Sequence, residues 1–164
     1  MQNTLKDKYI VNTSKKVSNE VTPQFCLASE HTFDAAHWLY GHNGLCKNLH
    51  GHNWRVQIIL KSNELIKDGS SRQMVCDFKD LKRDFRALVD YFDHALIAER
   101  DTISDNLLKA LQEEGFERIR LVPFRPTCEN FAPYFYNEMV AKGYNVESIT
   151  VWETEINSCK YMER

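Results

Sequence analysis

The sequence predicts a single domain of the α+β class, with an antiparallel sheet covered by helices on one face. Two long stretches, at Phe25–His37 and at residues 53–60, alternate apolar and other residues with the period of two that half-buried strands show. Farther along the chain, two stretches repeat apolar residues every three or four positions, as amphipathic helices do. Long strands joined by hairpin-like loops, with helices between later strands, indicate an α+β fold.

The remaining elements can be assigned in order along the chain. They are a strand at residues 74–78, a helix with Asp77 as its N-cap, a weak helical pattern within 95–115, a strand at 118–124, a helix from Thr127 to Gly143, and a strand at 148–161. Pro133 lies inside the last helix, where it should cost about 3 kcal/mol if the helix is regular. Two helices cannot easily cover both faces and all edges of the sheet, so subunits are expected to associate edge to edge.

Length, charge and cysteine content limit the class of protein. The 164 residues suit one domain at 23–164, preceded by a polar leader at 1–22. The net charge of −2 gives no reason to expect nucleic acid as a partner. No apolar run reaches the roughly 18 residues of a membrane helix, and no signal peptide is recognisable, so the cytoplasm is the expected compartment. The five scattered cysteines fit reduced thiols better than a disulfide framework.

Three histidines occupy the ends of the two long strands. His50 and His52 share the parity of the apolar residues that follow them, so both imidazoles leave the same face of the strand. Residues two apart on a strand stand roughly 6.5–7 Å apart, close enough for two imidazoles to bind one ion. His37 ends the apolar face of the preceding strand. Because zinc sites need three or four ligands, the three histidines together predict a metal site.

Cys46 leaves two interpretations of this site open. In the first, Cys46 joins the histidines as the fourth ligand of a closed structural zinc site, since short Cys-to-His spacings are typical of such sites. In the second, the histidines alone hold the ion, one position stays vacant, and Cys46 stands nearby as a reactive thiolate. Asp93 and His94, at the end of the first helix, favour the second interpretation because a carboxylate beside an imidazole can accept and pass a proton.

A set of motifs covering residues 25–161 resembles the 6-pyruvoyl-tetrahydropterin synthase family. In the family's order they are Phe33-Asp-Ala-Ala-His37, Cys46-Lys-Asn-Leu-His50-Gly-His52, Met74-Val-Cys-Asp-Phe78, Asp93-His94, Pro126-Thr-Cys-Glu-Asn130 and Trp152-Glu-Thr154. The spacing of three residues between Cys46 and His50 resembles that of the family's bacterial branch, the 6-carboxy-tetrahydropterin synthases of queuosine biosynthesis. Cys128 departs from the pattern, because a small Ser, Thr or Ala is more usual there.

The resemblance implies a fold, an assembly and a role for each matching residue. The fold would be the tunnelling fold, with a four-stranded antiparallel sheet, two helices on one face, and a barrel-forming homo-oligomer, most often a hexamer with active sites at subunit interfaces. The implied roles are zinc ligation by His37, His50 and His52, general base catalysis by Cys46, proton relay by Asp93 and His94, pterin anchoring by Glu153, and lining of the pterin pocket by Thr127 and Glu129.

The resemblance also implies one reaction and leaves related ones open. The substrate would be 7,8-dihydroneopterin triphosphate, converted to 6-carboxy-5,6,7,8-tetrahydropterin with release of acetaldehyde and triphosphate. The alternatives on the same fold are a pyruvoyl-type synthase and a side-chain lyase of folate synthesis, although folate-type members carry glutamate in place of Cys46. An alternative of another class is a zinc-stabilised binding module without enzymatic activity.

Overall fold

A computed structural model describes residues 24–164, so the leader predicted at 1–22 lies outside the described part of the chain. The strands are β1 Phe25–His37, β2 His50–Ser62, β3 Ala95–Glu99, β4 Ile119–Val122, β5 Val146–Trp152 and β6 Ser158–Tyr161. The α-helices are α1 Phe78–Asp90, α2 Asp105–Glu113 and α3 Cys128–Ala141, and a single 3₁₀ turn covers Leu45–Lys47. None of the helices within residues 24–164 combines the length and apolar character needed to cross a lipid bilayer.

The hairpin of β1 and β2 is the framework of the sheet. The two strands pair antiparallel along their whole length, from Phe25 opposite Ser62 to His37 opposite His50. Residues that face each other across the pair lie on the same side of the sheet, so Phe33 and Trp54 stack with their ring centroids 5.7 Å apart. The alternation in the sequence is therefore confirmed: the apolar set of both strands forms the buried face.

Helices α1 and α3 cover this face, packing on the sheet and on each other. Their apolar stripes enter one aromatic core, in which Phe85 from α1 and Phe131 and Phe135 from α3 are fully buried. The predicted N-cap of α1 is confirmed, because the Asp77 carboxylate accepts a hydrogen bond of 2.8 Å from the backbone N–H of Lys79. Gly143 follows the end of α3 with a φ of 91°, which glycine adopts at low cost.

The predicted four-stranded antiparallel sheet is wrong, because the sheet has six strands in the order β4-β3-β1-β2-β5-β6 and is mixed. Strand β3 pairs in parallel with the end of β1 and with β4. The weak helical pattern assigned to 95–115 therefore begins with a strand, and only its second half forms a helix, α2. The reason is physical: Ala95, Ile97 and Ala98 of β3 are all buried, and a strand buried on both faces does not alternate.

Two further predicted strands also need correction. Residues 74–78 form no strand. Met74 lies in a loop instead, and its backbone carbonyl accepts a hydrogen bond of 2.9 Å from the N–H of Ile66. The long strand predicted at 148–161 is interrupted after Trp152 by a turn that Glu153 opens, its N–H donating to the carbonyl of Asn157 at 3.1 Å. The chain then returns as β6, antiparallel to β5. Three α-helices are present in the described residues, where two were predicted to cover the sheet.

Candidate active site

The paired ends of β1 and β2 bring three imidazoles together. His37 is the last residue of β1, and His50 and His52 are the first and third residues of β2. Each histidine offers one ring nitrogen, and these three nitrogens all lie within 4.8 Å of one another. The ring centroid of His37 is 4.5 Å from that of His50 and 5.3 Å from that of His52. The parity argument therefore predicted correctly that the three rings converge.

Hydrogen bonds to the backbone leave Nε2 of two rings free to bind a ligand. Nδ1 of His37 donates to the carbonyl of Pro126 at 2.8 Å, and Nδ1 of His50 donates to the carbonyl of Asn48 at 2.8 Å. Because a carbonyl only accepts, each Nδ1 carries the proton and Nε2 of a neutral ring keeps its lone pair. Nε2 of His37 is buried and has no hydrogen-bond partner among residues 24–164. This arrangement is typical of metal-binding histidines.

The environment of the cluster favours the neutral form of two of its rings, His37 and His52. Burial lowers the pKa of His37 to about 4, against the raising effect of its bond to Pro126, and the neighbouring His50 and His52 lower it further. The pKa of His52 is also lowered, chiefly by burial, although Glu153 acts in the opposite direction. Since the neutral imidazole is the form that ligates metals, the three residues together could hold one metal ion at neutral pH.

Cys46 does not belong to this cluster of metal-ligating groups, so the described residues favour the open three-histidine arrangement over the closed four-ligand site. The thiol is exposed on the 3₁₀ turn Leu45–Lys47, in the loop between β1 and β2. The N–H of Leu39 donates to the carbonyl of Cys46 at 2.8 Å and ties the two sides of this loop together.

A cavity of about 520 Å³ connects Cys46 with the predicted pterin-binding residues. Its walls include Cys46, Thr127, Glu129 and Glu153. Glu153 lies where β5 ends, and its Oε1 is 3.6 Å from Nε2 of His37 and 4.0 Å from Nε2 of His52. One carboxylate therefore borders both the cavity and the histidine cluster.

The start of α3 forms another wall of this cavity. The Cys128 thiol donates to Oε2 of Glu129 at 3.5 Å. Burial, followed by the charge of Glu129, raises the pKa of Cys128 to about 12, so this thiol stays protonated. The pKa of Glu129 is lowered by hydrogen bonds, from its own backbone N–H first and from Thr127 and Cys128 after it. Thr127 occupies the N-cap position but makes no capping bond with its side chain.

Asp93 and His94 form a hydrogen-bonded pair on the short connection between α1 and β3. Nδ1 of His94 donates to Oδ2 of Asp93 at 2.8 Å, and the N–H of Asp34 donates to Oδ1 of Asp93 at 2.9 Å. The pKa of Asp93 is lowered, by the Asp34 N–H first and then by His94 and Arg118. The His94 side chain is 75% exposed and lines a second cavity of about 900 Å³ together with His52. Neither Asp93 nor His94 borders the cavity of Cys46.

Comparison with known proteins identifies the family. The sequence profile of the 6-pyruvoyl tetrahydropterin synthase family matches residues 26–164. The chain belongs to this family. It is 36% identical over 141 residues to the 6-carboxy-5,6,7,8-tetrahydropterin synthase of Haemophilus influenzae, which covers 85% of this chain and 99% of that protein. The enzyme of the same name from Synechocystis sp. is 33% identical over 115 residues, which covers 65% of this chain and 89% of the relative.

Solved structures support the same fold at lower sequence identity. An uncharacterized protein, WS1659, from Wolinella succinogenes superposes with a TM-score of 0.70 at 21% identity, covering 87% of this chain and 99% of that one. The Caenorhabditis elegans 6-pyruvoyl tetrahydropterin synthase gives a TM-score of 0.61 at 21% identity, covering 87% and 98% of the two chains. At this identity the likeness establishes the architecture alone.

In this member of the 6-pyruvoyl tetrahydropterin synthase family, the residues expected to act together lie in two groups. His37, His50, His52 and Glu153 meet at one end of the β1–β2 hairpin, and Cys46, Thr127 and Glu129 line the cavity beside Glu153. Asp93 and His94 lie apart from that cavity. Sequence reasoning missed the carbonyls of Pro126 and Asn48, which no sequence signal specifies, and it missed Asn157, which lines the cavity from the β5–β6 turn.

Proposed function

We propose that this chain is a zinc-dependent lyase that converts 7,8-dihydroneopterin triphosphate into 6-carboxy-5,6,7,8-tetrahydropterin in the biosynthesis of queuosine, acting in the cytoplasm. Acetaldehyde and triphosphate are the other products. The names of the bacterial relatives support the reaction. The observation that carries the proposal is the buried Nε2 of His37, which has no hydrogen-bond partner among residues 24–164. It lies in a cluster of three imidazoles beside a cavity lined by a thiol and by carboxylates.

His37, His50 and His52 would hold the zinc ion. Three histidine nitrogens with one position left open are one of the ligand sets found in catalytic zinc sites. The bound zinc would make hydroxyl groups on the substrate side chain more acidic. The hydrogen bonds to the carbonyls of Pro126 and Asn48 support this assignment, because they fix the orientation of the His37 and His50 rings.

Glu153 would bind the pterin ring, with Thr127 and Glu129 lining the pocket around it. A carboxylate can accept two hydrogen bonds from an amino group and the adjacent ring N–H, which fixes the ring in one orientation. The position of Glu153 supports this role, since its carboxylate borders both the cavity and the histidine cluster.

Cys46 would act as general base, and His94, oriented by Asp93, would pass protons during loss of triphosphate. The exposed sulfur of Cys46 at the cavity wall supports its role. Because His94 lines a different cavity of the same chain, we propose that the pair acting with a given Cys46 comes from a neighbouring copy. The assembly would then be a homo-oligomer, a hexamer by family resemblance, with active sites at its subunit interfaces.

Product analysis tests this function. The zinc-loaded protein is incubated with 7,8-dihydroneopterin triphosphate, and the pterin and acetaldehyde are quantified. We expect 6-carboxy-tetrahydropterin and acetaldehyde in equal amounts. A 6-pyruvoyl product, or a folate-type product with the side chain removed, would overturn the assignment in favour of a related enzyme. The absence of any turnover would favour a binding module.

A Cys46→Ala variant separates catalysis from structure in the same assay. Cys26→Ala is the matched control, because Cys26 is also an exposed thiol but lies at the far end of β1. We expect Cys46→Ala to retain zinc and fold while losing turnover, and Cys26→Ala to retain all three. Loss of zinc and fold in Cys46→Ala would instead indicate a closed structural site.

A further inference from the structure

The connection that carries Asp93 and His94 is held in an unusual backbone conformation. It spans only the four residues between the end of α1 at Asp90 and the start of β3 at Ala95. His94 has a φ of 53°, in the left-handed region that costs a side-chain-bearing residue about 1–2 kcal/mol. Its N–H donates to the carbonyl of Asp34 at 2.7 Å, so β1 holds one side of the connection.

Arg118 holds the other side. Its side chain reaches back from the residue before β4, and Nε donates to the carbonyl of Asp93 at 2.6 Å. Nη2 of the same guanidinium donates to the carbonyl of Asp90 at 2.6 Å and makes a longer bond of 3.4 Å to that of Tyr91. One planar group therefore spans the connection from the last residue of α1 to the first member of the catalytic pair.

The chemistry of these contacts suits arginine rather than lysine. The carbonyls at the C-terminal end of a helix are left without intrahelical partners and carry a partial negative charge, so a cation there is favourable. A guanidinium presents several N–H groups in a fixed fork and can serve two carbonyls at once, whereas an ammonium is a single point charge on a flexible stem. The positive charge of Arg118 also favours the ionised form of the Asp93 carboxylate.

Arg120 provides a natural comparison on the same segment. Its Nε donates to the carbonyl of Tyr91 at 2.8 Å, and its guanidinium lies over the Tyr91 ring at 4.5 Å. Arg120 thus contacts the same connection through the same type of group, but it makes no hydrogen bond to Asp93 or His94 among the described residues. Arg118 alone of these two arginines touches the pair directly and lines the same cavity as His94.

We propose that Arg118 is a positioning residue for the reaction. Its guanidinium fixes the Asp93 backbone so that the Asp93 carboxylate accepts the hydrogen bond from Nδ1–H of His94, which leaves Nε2 of that ring free for proton transfer. This inference rests on the proposed function, in which Asp93 and His94 relay protons. It also gives a role to the segment that joins β3 to β4, since this segment supplies the arginine that holds the pair.

The test compares Arg118→Lys and Arg118→Ala with the matched control Arg120→Lys in the full-length, zinc-loaded protein. Turnover of 7,8-dihydroneopterin triphosphate gives kcat and KM, and ¹⁵N NMR of labelled histidine gives the tautomer of His94, with its signals assigned by their absence from His94→Gln. We expect Arg118→Lys to lower kcat about tenfold or more with KM within about twofold, and to reduce the Nδ1–H tautomer. Arg120→Lys should keep the wild-type kcat and tautomer.

Each outcome decides between the alternatives. A wild-type kcat and tautomer in Arg118→Lys would overturn the inference, as would equal losses in the Arg118 and Arg120 variants with an unchanged tautomer, because that pattern indicates general destabilisation. If Arg118→Ala fails to fold, Arg118→Lys decides alone. An unmodified protein without turnover would overturn the proposed function and this inference with it, whereas an active wild type beside an unaffected Arg118→Lys would overturn the inference alone.

Discussion

At the scale of single residues, the surroundings of His37 favour a bound metal ion. Its ring is fully buried, one nitrogen donates to Pro126, and the other lacks a hydrogen-bond partner within residues 24–164. Leaving a buried polar group unsatisfied costs about 1–3 kcal/mol. A metal ion shared with His50 and His52 would give this nitrogen a partner, so the metal would stabilise the fold as well as the reaction.

We therefore expect His37→Ala to lose stoichiometric zinc and the rise in Tm that zinc gives the wild type, a stabilisation of about 2.7 kcal/mol when free zinc is 100 times its Kd. Zinc content by elemental analysis and Tm with and without added zinc check this expectation. His31→Ala is the control, because His31 lies on the same strand but pairs with Asp90 at 2.6 Å. Zinc retention in His37→Ala, or its loss in His31→Ala, would contradict the assignment of the ligands.

The Cys128 thiol of the candidate pocket should react slowly with alkylating reagents. Only the thiolate is nucleophilic, and a pKa of about 12 for Cys128 leaves about one molecule in ten thousand ionised at pH 8. Because the raised pKa favours the neutral form, alkylation of Cys128 should stay slow from pH 7 to 9 and rise about tenfold per pH unit. Peptide mass spectrometry after iodoacetamide treatment measures this, with the exposed Cys26 as the internal standard. Alkylation of Cys128 before Cys26 would contradict the prediction.

At the scale of secondary structure, α1 and α2 both begin with a side-chain N-cap, but only α1 packs into the core. The side chain of Asp77 accepts from Lys79 N–H at the start of α1, and that of Ser104 accepts from Leu107 N–H at the start of α2. Helix α1 buries three apolar side chains in the core, whereas α2 buries none among the described contacts. A helix that is not packed into the core can fray without unfolding the domain.

Asp77→Ala should therefore lower the free energy of unfolding by about 1 kcal/mol, since the lost cap belongs to a core helix. Ser104→Ala should leave global unfolding almost unchanged and instead increase amide hydrogen exchange within α2. Urea denaturation and hydrogen exchange measured on both variants distinguish the two effects. An equal loss of global stability in both variants would mean that α2 is part of the cooperative core.

The same elements explain how much of the fold could be predicted from sequence. Strands β1 and β2 alternate over 13 residues each, with one face buried, so their period was clear. Strand β3 spans only Ala95–Glu99 and is buried on both sides, so it carries no alternation and its residues also suit a helix. The break between β5 and β6 depends on a turn at Glu153 rather than on any change of composition.

The candidate site was also predictable only in part: its residues on the long strands could be placed from the sequence, and its loop contacts could not. Parity along paired strands placed His37, His50 and His52 on one face, and strand geometry then required them to converge. The location of His94 could not be predicted, because it depends on a left-handed residue and on bonds to Asp34, which is distant in sequence. The contact of Arg118 with Asp93 could not be predicted either, because it depends on the parallel pairing of β3 with β4, which the sequence pattern did not indicate.

At the scale of the whole molecule, the sheet keeps open edges. Strand β3 covers only the last three residues of β1, which leaves the first part of that strand paired on one side within the described chain. Strand β6 ends the sheet on the other side. Open edges with unpaired backbone groups invite pairing with another copy. These edges support the proposed oligomer. The separation of Cys46 from His94 supports it as well, because an active site shared between copies would bring the two groups together.

Mixing two inactive variants tests whether the active site is shared between copies. Cys46→Ala lacks the proposed general base and His94→Gln lacks the proposed proton relay, so each homo-oligomer should be inactive. If Cys46 of one copy works with Asp93 and His94 of another, random mixing after reversible dissociation should give about a quarter of the sites both intact groups and restore about that fraction of wild-type kcat. Light scattering of the mixture confirms that oligomers have re-formed, and Cys46→Ala mixed with Cys46→Ala/His94→Gln serves as the control that cannot recover. If both groups act within one chain, no combination of subunits can rebuild a site, and the mixture will stay as inactive as its parents.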